Sequence, residues 1–210
     1  QFYLYGYSAS PGLATPGAFD QTFNMANTSF KAVLARFSSS GAARDFCTYY
    51  GGSNVTMTYA LGSPLARDRN GNLYITGTTG SPNLPLVGAW DSTPGDSRDI
   101  FIAKLNSDCS SLLFSSYLGG EDYDIGTGIA VDTFGCAYLT GYTESTDYPL
   151  ASPHDPFGGS TRDAFVTKIC NLSCCIGTTG NVDCDLGDGA DISDLSALID
   201  YLYISFNPLC

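Results

Sequence analysis

Short apolar runs, each bounded by Gly, Pro, Asn, Asp or Ser, recur about every ten positions through the first 170 residues, the pattern of an all-β chain. The runs repeat in a fixed order. Leu73-Tyr74-Ile75-Thr76-Gly77-Thr78 returns as Ala137-Tyr138-Leu139-Thr140-Gly141-Tyr142, 64 positions later, and a divergent copy opens at Tyr3-Leu4-Tyr5-Gly6-Tyr7-Ser8. Other landmarks keep step: Pro85-Leu86 with Pro149-Leu150, Asp91 with Asp155, and Asp99–Leu105 with Asp163–Ile169. Lys31–Phe37 is the weaker counterpart of the last pair. A period held at several landmarks marks repeated supersecondary units whose faces bury against their neighbours.

Four strand types are read from the repeat: A around Phe101, B around Phe114, C around Ile129 and D around Tyr138. Each D run is expected to end in a Thr-Gly turn and a proline loop, and each B run in Tyr-x-Gly-Gly. Asp68-Arg69-Asn70-Gly71 and Asp132-Thr133-Phe134-Gly135 are the C–D turns, with Asn-Gly a strong hairpin signal. Along the chain the order is D-A-B-C, D-A-B-C, D-A, about two and a half copies beginning near residues 1, 72 and 136. The wording resembles the bacterial SBBP β-propeller repeat over residues 1–170. That resemblance implies blades of four antiparallel strands. A closed propeller takes four to eight blades, so this is a piece of a longer chain, or neighbouring copies complete the sheets through open strand edges, or the chain is an open β-stack whose ends are covered by loops and the C-terminal tail. Gln1, with no Met or signal sequence, reads as a processed or truncated start.

The composition changes at residue 171. No Lys or Arg follows Lys168, while aspartates crowd the stretch before a helical stripe of Ile192, Leu195, Leu198, Ile199 and Leu202. Residues 171–210 resemble half of a dockerin, an EF-hand-like calcium module. By that resemblance Asn181, Asp183 and Asp185 take the first ligand positions, Asp191 the water-linked one and Asp194 the closing one. The segment from Asp185 to Asp191 is two residues longer than the usual loop, and one loop is present where cohesin-binding dockerins carry two.

Eight cysteines and a single histidine favour disulfides over zinc, and hence an oxidising, extracellular or cell-surface location. Cys109, in an A–B turn, and Cys136, in a C–D turn, are expected to pair, because in a meandering blade those turns emerge at the same end. In the tail, Cys184 and Cys210 are expected to pair with Cys174 and Cys175, while Cys47 has no local partner. Asn27, Asn54 and Asn171 head Asn-x-Ser/Thr sequons.

The formal charge of −12, with nine Lys and Arg, argues against nucleic acid as a partner, and no apolar run reaches the roughly 18 residues of a membrane span. Catalysis has little support: His154 lies in a loop beside Asp155, no Gly-x-Ser-x-Gly elbow occurs, and Asp68, Asp132, Asp99 and Asp163 recur with the scaffold as turn and cap formers. Glu121, Asp122 and Asp124 form either a second calcium site or a simple acidic loop. Trp90, Tyr123 and Tyr148 are candidates for stacking on glycans, with Trp90 better read as a loop anchor in the core. The expected function is a secreted, non-catalytic structural protein, a filament or surface-layer subunit that polymerises through its strand edges with calcium in its tail. The alternative is an adhesin or carbohydrate-binding fragment attached to larger machinery.

Overall fold

The computed structural model describes residues 1–23, 30–52, 64–95, 97–149 and 162–170. They form β1 (Phe2–Ser8), β2 (Lys31–Phe37), β3 (Arg44–Tyr50), β4 (Leu65–Arg67), β5 (Leu73–Thr79), β6 (Asp99–Leu105), β7 (Leu112–Leu118), β8 (Asp124–Val131), β9 (Ala137–Thr143) and β10 (Asp163–Ile169). Taken in order these are the D, A, B and C types expected from the repeat, and no helix occurs among the described residues.

The strands group differently from the expected D-A-B-C units. Sheet I holds β1-β2-β3, sheet II holds β4-β5-β6-β7 and sheet III holds β8-β9-β10, all antiparallel. Sheets II and III therefore open on a C strand, and the B–C link crosses from one sheet to the next. The tight C–D turn explains why C belongs with the D that follows it. Asp68 accepts from the Asn72 N–H at 2.8 Å through Oδ1, and Asp132 accepts from the Cys136 N–H at 3.0 Å in the same way. Gly71 and Gly135 close these turns at φ +89° and +85°. Asn70 keeps a negative φ, so the glycine alone supplies the left-handed residue.

Thr76-Gly77 and Thr140-Gly141 are not turns. Both glycines sit inside strands, opposite Phe101 and Phe165 in the ladder. The phenylalanine ring lies over the glycine: a methyl group on Gly77 would stand 2.9 Å from the Phe101 ring, and one on Gly141 2.8 Å from that of Phe165. In sheet I the opposite residue is Val33, too short to reach, and Gly6 has open space.

The three sheets stack face to face. Tyr3, Tyr5, Tyr7, Leu34, Phe46 and Tyr50 of sheet I meet Leu73, Ile75, Phe101, Ala103, Leu105 and Tyr117 of sheet II. The other face of sheet II, carrying Tyr74, Ile100, Ile102, Phe114 and Leu118, meets Ile129, Ala137, Leu139, Phe165 and Ile169 of sheet III. Leu73, Ile75, Phe101 and Leu105 are matched by Ala137, Leu139, Phe165 and Ile169, so the same face always turns toward the preceding sheet. All seven residues of β5 are buried, because sheet II has a sheet against each of its faces.

Replacing Gly77 with Ala forces Phe101 to move and is expected to cost about 1–3 kcal/mol. The same change at Gly6 is expected to leave stability unchanged or slightly higher. Urea denaturation of the two variants measures the contrast.

Candidate functional site

The proposed tail ligands Asn181, Asp183, Asp185, Asp191 and Asp194 lie outside the described residues. So do Cys174, Cys175, Cys184 and Cys210, the sequon asparagines 27, 54 and 171, and His154.

Among the described cysteines the expected Cys109–Cys136 pair is not formed. Cys136 is bonded to Cys170, with a Cα separation of 4.1 Å. The reason is the sheet grouping: Cys109 lies in the A–B turn of sheet II, whereas Cys136 belongs to the C–D turn of sheet III. The β9–β10 ladder pairs Ala137 with Ile169, and one step further along that register Cys136 faces Cys170. Asn72 and Asn106 hold the corresponding positions in sheet II. Cys47 and Cys109 are buried free thiols on opposite faces of sheet I. Cys47 packs with Val33, Ala35 and Tyr49 on the outer face, and Cys109 with Leu34 and Phe46 on the inner one. Cys109 has φ +55° where the matching turn of sheet I uses Gly41 at +72°. Burial pushes its thiol up to about 12, with Asp108 adding to the effect.

The loop between strands D and A is clamped to strand B in the same way twice. The Tyr117 hydroxyl accepts from the Leu84 N–H (3.0 Å) and donates to the Ser81 carbonyl (2.6 Å). Tyr49 does the same with Leu13 (2.9 Å) and Ser10 (2.6 Å). The Asp91 N–H donates to the Ser116 hydroxyl at 3.0 Å, and the Asp20 N–H donates to the Thr48 hydroxyl at 3.0 Å. These loops carry Trp90, whose ring lies 4.9 Å from Phe114 in the core, as its reading as an anchor requires. Tyr148 is also buried and stacks on Phe165, so it offers no face to a sugar. Tyr123 is 44% exposed, with the Arg98 guanidinium 5.7 Å from its ring centre.

At the crossing from sheet II to sheet III, Gly119-Gly120 passes close beneath the loop that follows β9. A methyl group on Gly120 would stand 2.2 Å from Asp147 Oδ1, and one on Gly119 2.7 Å from Asp99 Oδ1 and 2.8 Å from Asp124 Oδ2. Glycine is required here by the closeness of these carboxylates. Glu121 and Asp122 are exposed, and their backbone N–H groups are engaged by Asp147 and Ser145, so they do not converge with Asp124. Asp124 turns inward and meets Asp99 instead. Asp99 Oδ2 accepts from the Gly95 N–H (2.8 Å), and Asp124 Oδ2 accepts from the Gly120 N–H (2.8 Å) and the Ser145 hydroxyl (2.9 Å). The Oδ1 atoms of both are buried without a hydrogen-bond partner. Burial pushes the Asp99 carboxyl up to about 6; the Gly95 N–H opposes this, and Asp124, Asp91 and Asp147 add to it. Asp124 is raised as well, chiefly by burial, opposed by the nearby Thr143 hydroxyl and by the bonds from Gly120 and Ser145.

At the two ends of the stack each outer sheet has a face with no further sheet against it among the described residues. On sheet I this face carries Phe2 (59% exposed) and Leu4 (51%), beside Val33, Ala35 and Phe37. On sheet III it carries Tyr138, Tyr142, Ala164 and Val166, the last 73% exposed. Lys168 lies 5.8 Å over the Tyr138 ring, repeating Lys104 over Tyr74 at 5.1 Å in sheet II.

Residues 45–85 and 113–149 match the SBBP family, described as a beta-propeller repeat. Each matched stretch opens in a B strand, crosses to the next sheet, and ends in the loop after its D strand. The match does not reach the tail and lends nothing to its dockerin resemblance. No curated protein matches the chain.

Two outcomes follow from this geometry. Converting Cys136 and Cys170 together to Ser opens a loop spanning 34 positions and is expected to cost about 3–4 kcal/mol, read by urea denaturation. For Asp99 the folded chain holds a proton more tightly than the unfolded chain. Stability should therefore rise as pH falls from about 6 toward the ordinary carboxylate range near 4, and be lost again as pH climbs back through 6. A rise in the urea midpoint between pH 7 and 5, without divalent cations, that flattens in Asp99→Asn is the expected result.

Proposed function

We propose that this chain, which matches the SBBP beta-propeller repeat over residues 45–85 and 113–149, is a secreted, non-catalytic structural subunit that joins end to end with further copies of itself. One observation carries the reading: the two outer faces repeat the two faces that are buried inside the stack. Phe2, Leu4, Val33 and Phe37 occupy the places that Leu73, Ile75, Phe101 and Leu105 take in sheet II, where sheet I covers them. Tyr138, Ala164 and Val166 occupy the places of Tyr74, Ile100 and Ile102, which sheet III covers.

Sheet III of one copy therefore suits sheet I of the next by the packing already used twice within the chain. The loop on the outer face of sheet I is no obstacle, since Leu13 sits there as Leu84 sits on sheet II beside its docked neighbour. The edges of β1 and β10, with no strand beside them among the described residues, leave in-plane backbone groups for pairing with a further strand, separate from the face-to-face joint. Two different faces meet, so the contact is head to tail and builds a ring or an open filament according to the rotation per copy. The Cys136–Cys170 bond supports an oxidising compartment. Calcium held by Asn181, Asp183, Asp185, Asp191 and Asp194 belongs to the same reading, as a brace for the chain end.

Light scattering after size exclusion, with electron microscopy of concentrated protein, tests this. Wild type is expected to form concentration-dependent oligomers or filaments. Val166→Asp and Leu4→Asp, each placing a charge in the joint, should raise the concentration needed for assembly by roughly tenfold or more while the chain stays folded. A wild-type chain that stays monomeric at high concentration, or assembly indifferent to both substitutions, overturns the proposal.

A further inference from the structure

We propose that the crossing between sheets II and III is a cation site, in which Asp99, through its partnerless Oδ1, and the Asp124 carboxylate beside it hold a hard divalent cation such as calcium. Asp99 is 1% exposed and Asp124 is fully buried, and in each the second oxygen is already engaged by Gly95, or by Gly120 and Ser145. A buried carboxylate oxygen with no donor carries the full desolvation cost of its charge. The two carboxylates flank the same glycine: the place of a methyl group on Gly119 is 2.7 Å from Asp99 Oδ1 and 2.8 Å from Asp124 Oδ2. The Gly120 carbonyl oxygen, 2.1 Å from the place a methyl group on Gly95 would take, lies against the same spot as Asp99 Oδ1, 3.3 Å from that place.

The first crossing in this chain supplies the comparison. There the position of Asp99 is taken by Lys31, at the same step of the D–A ladder: Lys31 faces Ser8 as Asp99 faces Thr79. The Lys31 ammonium bonds Asp20 Oδ2 at 2.7 Å and the Thr22 carbonyl at 3.1 Å. Asp147, too, is replaced there by Asn83, whose Oδ1 lies 2.4 Å from the place of a Gly52 methyl group, as Asp147 Oδ1 lies 2.2 Å from that of Gly120. Sheets I and II thus meet around a built-in cation and a neutral amide. Sheets II and III meet around Asp91, Asp99, Asp124 and Asp147, with no lysine at the equivalent place. A bound cation restores the charge that Lys31 provides one crossing earlier.

Calcium fits the donor set, being a hard cation that takes carboxylate and carbonyl oxygens and completes its shell with water. Among the described residues no three carboxylate, thiol or imidazole side chains come together, so two carboxylates with carbonyl and water oxygens are the arrangement this crossing offers. Asp147, exposed at the rim, adds negative potential at the entrance.

The test uses the full chain, stripped with a chelator, in an Asp183→Ala/Asp185→Ala background that removes the tail as a competing calcium binder. Calcium titration by calorimetry is expected to show one remaining site. Thermal melts should rise by roughly 5–10 °C at calcium a hundredfold above its dissociation constant. Adding Asp99→Asn should abolish both responses and, without calcium, should melt above its parent, because one of two repelling carboxylates is gone. Asp124→Asn provides a second, independent variant. No calcium binding in the tail-altered background, or binding that survives both Asp99→Asn and Asp124→Asn, overturns the proposal.

Discussion

A β-sheet has two faces, and among the described residues only the middle sheet has a neighbouring sheet on both. Burial between consecutive sheets is the dominant favourable term available to such a stack. It explains why β5 is apolar or Thr-rich without the alternation of a half-exposed strand, and why β10 exposes Val166 while hiding Phe165 and Ile169. The glycines opposite Phe101 and Phe165 serve the same end. They let a large ring lie flat on its own ladder and keep the sheet surface level for its neighbour.

Packing of this kind sets which face meets which, and polar contacts then fix where the loops go. The hydroxyl of Tyr49 or Tyr117 takes one backbone donor and one backbone acceptor from the loop above it, so a long connection is tied down without leaving buried peptide groups unpaired. The carboxylates of Asp68 and Asp132 hold the opposite turns. Against this background of repeated, satisfied contacts, the two orphan oxygens of Asp99 and Asp124 are the exception, and the chemistry proposed for the second crossing begins from them.

The order of the strands was legible because each landmark residue plays one fixed local part, Asp68 and Asp132 making turns, Tyr49 and Tyr117 making clamps. The grouping into sheets was not. The C strand β8 has a short connection on both sides, and the sequence does not say whether the Gly-Gly link or the Asp-initiated turn stays within a sheet. The Cys109–Cys136 expectation failed on that point alone, although Cys136 and Cys170 stand one full period after Asn72 and Asn106, which flank the D–A ladder of sheet II. Asp99 was read as scaffold because it recurs as Asp163. The informative signal was its divergence to Lys31 in the first copy, a reversal of charge that a purely turn-forming position does not call for.

The matched family stretches run out of phase with the sheets, opening in a B strand and closing beyond the D strand of the next sheet. Tandem duplication of such a unit would insert a complete interface together with the two half-sheets that flank it. An array grown in this way lengthens with every new internal face already matched, and its ends keep the same two surfaces whatever the copy number. Gene-level elongation and subunit-level joining would then draw on one and the same geometric rule.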